Sequence, residues 1–326
     1  MLKYVIQRLL IMIPSLVGVT ALTFFGLRLM LPYDVIDKVL QDSVSNDPAI
    51  RQQLTEDLGL TGSLPEQYLR WLGVEWFWSG KEGVLQGELG KSLLSGRSIA
   101  SELGRRVPVS FELGLWAQVS AIVVSVPLGV IAALRQDRWQ DYGLRSAAIL
   151  VNSVPAFWIA VLVITFGSLW FQWAPPIQYK YLTDDPIGHA KIMLLPAIII
   201  GLTPSGSLVR LVRTQMLEVL RQDYVRTAQA KGLSEGRVVY GHALRNALIP
   251  IVTVIGVSLP NLIAGAIIFE QIFLLPGMGR YLIDAVNQLD YPVILGLNLI
   301  FAFLLMTSVL IVDLSYALLD PRIRLR

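Results

Sequence analysis

The 326-residue sequence contains no cysteine and only two histidines, and Asp, Glu, Lys and Arg together make up just 16% of it. Without thiols there is no disulfide framework, no thiolate nucleophile, no cysteine zinc cluster and no cysteine-held iron–sulfur centre. The shortage of charge excludes an ordinary soluble domain, in which charged residues are about a quarter of the total and form a solvated skin. In their place the chain is 54% apolar with a mean hydropathy of +0.59, which excludes disorder as well. A net charge of +3 from 27 basic and 24 acidic residues falls short of the concentrated basic surface that nucleic acid requires.

The apolar residues are gathered into six runs, approximately Leu9–Leu31, Phe111–Leu134, Ser146–Trp173, Ile192–Val212, Ala247–Phe269 and Val293–Leu319. About 20 mostly apolar residues suffice to cross a bilayer core about 30 Å thick as a helix, so each run is read as one membrane-spanning helix. Pro127, Pro155, Pro196, Pro204, Pro250 and Pro260 fall inside these runs. Membrane helices tolerate proline because packed neighbours re-satisfy the freed carbonyls.

Lys and Arg beside the spans set the orientation, because cytoplasmic loops retain positive charge. With the N-terminus inside, fourteen of them fall on inner segments: Lys3 and Arg8; three between Arg135 and Arg145; six between Arg213 and Arg245; and Arg322, Arg324 and Arg326. The two short outer loops hold only Lys180, Lys191 and Arg280. Both termini are therefore expected in the cytoplasm. Arg105 and Arg106 oppose the pattern, but they end a long outer segment, which the rule weights weakly. The first run is too long for a signal-peptide core and no clear small-residue cleavage site follows it, so it is read as an uncleaved helix.

These readings divide the chain into an N-terminus and first helix (1–31), a helical extracytoplasmic insertion (32–108), five further helices (109–319) and a cytoplasmic tail (320–326). The insertion carries eleven acidic and eight basic residues. Leu54, Leu58, Tyr68, Leu69, Leu72, Trp71, Trp76 and Trp78 give it apolar faces suited to short helices on the outer membrane surface. Its tryptophans fit either an interfacial anchor or a docking surface for an extracytoplasmic partner. Gly90-Lys91-Ser92 resembles the end of a phosphate-binding loop, but Leu85 stands where that motif needs glycine. Nucleotide binding is thus not expected in this chain.

The inner segment 213–245 is the most informative. It reads Gln222-Asp223-Tyr224-Val225-Arg226-Thr227-Ala228-Gln229-Ala230-Lys231-Gly232-Leu233-Ser234 and continues to Gly241-His242-Ala243-Leu244-Arg245-Asn246-Ala247-Leu248-Ile249-Pro250. Ala228 and Gly232, four apart, are expected on one face of a short helix, small enough for close approach by a partner. From spacing alone a merely solvated positive loop remains equally open.

In order and content these residues resemble the membrane permease subunits of bacterial ABC importers, in the branch for oligopeptides, dipeptides and nickel. Tyr224–Gly232 and His242–Pro250 resemble that family's cytoplasmic "EAA" loop. Blocks similar to that branch recur along nearly the whole chain: Leu54–Leu72, Gly87–Ser92, Asn152–Trp158, Phe269–Arg280, Asp290–Pro292 and Asp313–Arg324. Where the general loop begins Glu-Ala-Ala this chain has Arg226-Thr227-Ala228, and Leu244-Arg245 replaces a Leu-Pro, with proline delayed to Pro250. The peptide branch is similar in both respects.

The resemblance implies an all-α integral membrane fold with six transmembrane helices, in the bacterial cytoplasmic (inner) membrane. It implies a first permease paired with a second, expected to be a paralogue, two cytoplasmic ATPases and an extracytoplasmic solute-binding protein. ATP and Mg would sit on the ATPases, with no cofactor or metal in this chain. Tyr224, Arg226, Thr227, Ala228, Ala230, Lys231, Gly232, Leu233 and Ser234, followed by His242, Asn246 and Pro250, would form the ATPase-coupling loop. Pro276, Gly277 and Gly279 would suit either a loop dipping towards the outer mouth of the path or a plain tight turn. A peptide is the expected cargo, with nickel, glutathione or an oligosaccharide as alternatives.

Charges inside the spans are site candidates by default. Arg28, Glu112 and Glu270 lie near outer ends, and Arg28 is placed to snorkel. Asp313, near the inner end of the last run, is read as an interhelical partner. His189 in an outer loop and His242 lack a second ligand at metal spacing. An intramembrane hydrolase using Ser153, Ser205, Ser207 or His242 lacks any nucleophile elbow or His–Ser spacing. An ion-coupled carrier would want midplane acids, in which the spans are poor.

Overall fold

The computed structural model describes residues 2–30, 52, 55, 59 and 61–319, with backbone alone for 2–5, 30, 78, 259–262 and 312–319. Residues 1, 31–51, 53–54, 56–58 and 60, which include Leu54 and Leu58, the tail 320–326 and the side chains of Trp78, Pro260 and Asp313 lie outside the described residues. In chain order the helices are α1 (Leu2–Met30), α2 (Leu64–Leu72), α3 (Trp76–Ser79), α4 (Ile99–Leu134), α5 (Trp139–Ser153), α6 (Ala156–Phe171), α7 (Pro186–Leu220), α8 (Asp223–Ala230), α9 (Leu244–Ile272), α10 (Met278–Gln288) and α11 (Tyr291–Leu319). The protein is an all-α membrane protein. Among the described residues five helices are long and apolar enough to cross a membrane, and α5 with α6 makes a sixth if the pair is one bent span.

That pair corrects the expectation of one helix over Ser146–Trp173. α5 and α6 meet at 91°. Pro155 has no N–H to give and forces its predecessor out of the helical region, and Val154 is extended at φ −99°, ψ 126°. Proline alone does not decide the outcome, because α7 runs unbroken through Pro196 and Pro204 and α4 through Pro108 and Pro127. α4 also starts about three turns before Phe111, so Arg105 and Arg106 sit on the helix and not ahead of it.

The chain forms two compact units, one from Met1–Pro108 with Tyr281–Ala317, the other centred on Val109–Arg280. In the first, Tyr68 of α2 is the anchor. Its hydroxyl lies 2.9 Å from Thr20 Oγ1 of α1, and its ring packs edge-on against Phe24 and stacks with Trp71. Leu295 of α11 completes this cluster. Such aromatic pairs add about 0.5–1.5 kcal/mol each beyond area burial. Ser63 N donates to Glu66 Oε2 at 2.9 Å at the start of α2, the backward half of a capping box. The Gly90-Lys91-Ser92 turn is tied to its own chain: Ser92 Oγ donates to Asp290 Oδ2 at 2.6 Å and Leu93 N to Asp290 Oδ1 at 3.2 Å, fixing the loop to the residue that precedes α11. Arg106 bonds Glu102 at 3.2 Å and lies 4.2 Å over the Tyr281 ring.

In the second unit α7 is the central element. It packs against α5, α6 and α9, through a cluster that includes Leu113, Met193, Ile200 and Phe269 and another that includes Val130, Val212, Met216 and Ile251. α7 is 35 residues long, so Arg213 lies on this helix and not in the inner loop as expected. There it forms a bidentate pair with buried Asp141, both contacts 2.6 Å. His189 is likewise not in a loop. It sits in the first turn of α7, 2% exposed, with Nε2 2.7 Å from Glu112 Oε1 and Nδ1 2.8 Å from Lys180 O.

Candidate functional site

The inner segment expected to carry function begins where α7 ends. Asp223 stands in the first turn of α8, where a carboxylate suits the positive end of the helix dipole. Val225 and Ala228 are buried and pack with Val238, flanked by Val219, Leu220 and Leu233. This apolar stripe holds α8 against its own chain. The opposite face, with Tyr224, Arg226, Thr227, Ala230 and Lys231, is exposed. Thr227 Oγ1 bonds back to Asp223 O at 2.9 Å, and the Arg226–Asp223 pair at 3.5 Å is nearly fully solvated, a contact of little energetic weight.

One expectation is corrected here. Ala228 and Gly232 do not share a partner-facing surface: Ala228 is 8% exposed, turned into the chain, and Gly232 lies beyond the end of α8. The helix stops because Gly232 adopts φ +78° with open space around it, a left-handed turn that glycine enters without penalty. Gly232 N donates to Gln229 O at 2.9 Å and Leu233 N to Ala228 O at 3.4 Å. Half-buried Leu233 belongs to the anchoring cluster, while Ser234 is exposed and accepts from Val238 N at 3.0 Å.

A π-helical stretch, Arg237–Ala243, joins this turn to α9; such wide turns frequently mark functional positions. Its buried residues Val238, Val239 and Ala243 lock it down, leaving Tyr240 62% exposed. His242 is exposed, and its carbonyl accepts from Asn246 Nδ2 at 3.0 Å. The same Nδ2 donates to Tyr224 Oη at 2.9 Å. Tyr224 therefore ties the outer face of α8 to α9 as well. Pro250 is half-buried within α9. The result is a short helix attached to α7 and α9, with its cationic side chains and Tyr240 exposed.

At the other end of α9, Pro276, Gly277 and Gly279 lie in a turn built on a buried carboxylate. Glu270 is fully buried. It accepts from Ser110 Oγ at 2.5 Å, Gly279 N at 2.7 Å and Arg280 N at 3.1 Å, and Ser110 Oγ in turn accepts from Met278 N at 2.8 Å. The carboxylate thus caps the start of α10. A Cβ on Gly277 would overlap the Glu270 carboxyl, and one on Gly279 would strike the Ile267 backbone. Sequence reading flagged Glu270 as a charge at a span end but not its partner Ser110, which carries no sequence mark. In the loop before α7, Lys180 lies 2.5 Å from Asp185, and this hydrogen bond holds the Asp185 carboxyl below the usual carboxylate range. Burial, assisted by Glu112, pushes the Tyr179 phenol up.

Residues 125–325 match the family described as "Binding-protein-dependent transport system inner membrane component". Across 99% of both chains the sequence is 37% identical to a putative peptide transport system permease protein of Brucella abortus (strain 2308). It is 35% identical to the oligopeptide transport system permease protein AppB of Bacillus subtilis (strain 168), again over 99% of each. The dipeptide transport system permease protein DppB of Escherichia coli (strain K12) is 37% identical over the same share.

Proposed function

The chain belongs to the binding-protein-dependent transport system inner membrane components, and from that premise we propose that it is the first permease of an ATP-driven peptide importer, coupled to its motor through α8. The peptide cargo is inferred from the names of full-length relatives. In this reading the chain sits in the bacterial inner membrane with both termini in the cytoplasm. It pairs with a second permease, receives cargo from an extracytoplasmic binding protein and has no enzymatic residue of its own. ATP and Mg are handled by two partner ATPases.

The observation that carries the coupling role is the division of α8 into two faces. Val225 and Ala228 bind it to the chain, so Tyr224, Arg226, Thr227, Ala230 and Lys231 are what a cytoplasmic partner meets. Gly232 lets the chain turn back without blocking that surface. The role of the 32–108 insertion follows the same reading: α2 and its aromatic anchor give an outer platform for the binding protein.

Purification of the tagged chain in mild detergent tests the proposal. Two ATPases and a second permease should copurify, and the complex in proteoliposomes should take up a labelled dipeptide only with ATP inside the motor compartment. A lone chain, inert to ATP yet folded, would overturn it.

A further inference from the structure

α7 crosses the apolar core of the second unit, yet one of its faces carries Ser207, Arg210 and Thr214 exposed on the chain. Unless it snorkels to the interface, a cation inside a span is placed by membrane proteins towards a partner or a water-filled cavity. Arg210 is also not extended towards the nearer, C-terminal end of its helix. Its Nη2 reaches back to Ser207 Oγ, 3.4 Å away and one turn earlier.

Across from it stands Asn152, the penultimate residue of α5 before the 91° break. With Asn152 Oδ1 turned towards them, it accepts from Ser207 Oγ at 3.0 Å and from Arg210 Nη2 at 3.2 Å, while Nδ2 donates to Thr203 O at 2.5 Å. Arg210 is thus held by two neutral groups, and among the described residues it meets no carboxylate. The contrast with Arg213 is sharp, since three residues further on that side chain is consumed by Asp141. Among the described residues the Nε and Nη1 donors of Arg210 make no hydrogen bond.

The break itself points the same way. Ending α5 at Ser153 leaves its last carbonyls without helical partners, and Ser153 and Pro155 are exposed. Non-helical backbone at membrane depth persists only where protein covers it or water reaches it, and discontinuous helices in transporters mark where the cargo passes. A broken span and an uncompensated guanidinium therefore meet at one polar cluster.

We propose that Arg210, oriented by Asn152 and Ser207, is a carboxylate subsite on the wall of the translocation path, and that its ligand is the C-terminal carboxylate of the passing peptide. The guanidinium is permanently charged and keeps Nε and Nη1 as donors for a carboxylate. Every unmodified peptide carries that group whatever its side chains, so one such subsite serves a cargo of varied sequence. The inference rests on the peptide-permease reading above.

The absence of cysteine from the chain makes the test direct. Thr214→Cys, one turn beyond Arg210 on the same exposed face, is treated in the reconstituted complex with a membrane-impermeant thiol reagent, and labelling of this chain is read by mass spectrometry. Labelling that a dipeptide suppresses, but its C-terminal amide does not, is the expected result, and adding Arg210→Gln should abolish the protection. Arg210→Gln alone should lower dipeptide uptake on the order of tenfold or more, with Arg210→Lys retaining part of it. No labelling in any assembly, labelling only in the isolated permease, or equal protection by acid and amide would overturn the subsite and assign Arg210 to lipid, to the second permease or to topology. Failure of the unsubstituted complex to import dipeptide at all would instead overturn the underlying permease reading.

Discussion

Two glycine-bearing turns flank α9, and they use the residue for opposite ends. At Gly277 the missing side chain is filled by the protein itself: the Glu270 carboxylate occupies the space a Cβ would take, and Ser110 and two backbone N–H groups converge on it. At Gly232 nothing lies within reach of a Cβ, and the glycine serves only to let the chain turn left-handed after α8. The first turn is closed upon its own hydrogen bonds. The second leaves its polar and aromatic residues facing outward.

Substitutions can break this comparison. The largest effect is expected for Gly277→Val, since two branches of side chain would displace a buried carboxylate from three donors; overpacking and unpaired polar groups together cost several kcal/mol, about 3 or more. Little folded protein should be recovered from membranes. Glu270→Gln comes next. It keeps the shape but trades a charge-assisted acceptor for a neutral amide whose NH₂ faces donors, at a cost of about 2 kcal/mol, read as a lowered unfolding temperature in detergent.

Gly232→Trp should cost only about 1–2 kcal/mol, from a left-handed backbone that disfavours side chains, and the protein should reach the membrane in near-normal amount. Its uptake of peptide should nevertheless be lost while the ATPases still turn over. Normal uptake in this variant would deny α8 its role. The smallest change is expected for Tyr224→Phe, which removes one exposed bond to Asn246, worth about 0.5–1 kcal/mol. Its unfolding temperature should barely move, but coupling between ATP hydrolysis and uptake should loosen, because α8 keeps its apolar anchor and loses its polar tie to α9.

The apolar runs made the helices legible in the sequence, because crossing a bilayer demands a length and composition that little else in a chain imitates. Which proline would break its helix was not legible. Pro155 and Pro196 lie in similar runs, and only the neighbours packed around each decide whether the freed carbonyls are met. Helical spacing likewise located Ala228 but not the direction it faces; the apolar partners that turn it inward, Val219, Val238 and Leu233, come from three separate elements. Ser110 could not have been matched with Glu270 across 160 positions. Arg210 could have been noticed, being a cation inside the run Ile192–Val212, but its lack of a carboxylate partner is visible only beside Arg213.

The most direct measurement of the central claim is a cross-link from α8. Thr227→Cys introduces the only thiol of this chain on the exposed face of the helix, in an assembled complex whose ATPases carry single cysteines along the surface facing the membrane. A cross-link to an ATPase that forms in the resting complex and changes yield when ATP is bound is the result predicted. A Thr227 thiol that stays fully reactive to water-soluble reagents in a complex actively importing peptide, with no cross-link to either ATPase, would contradict it.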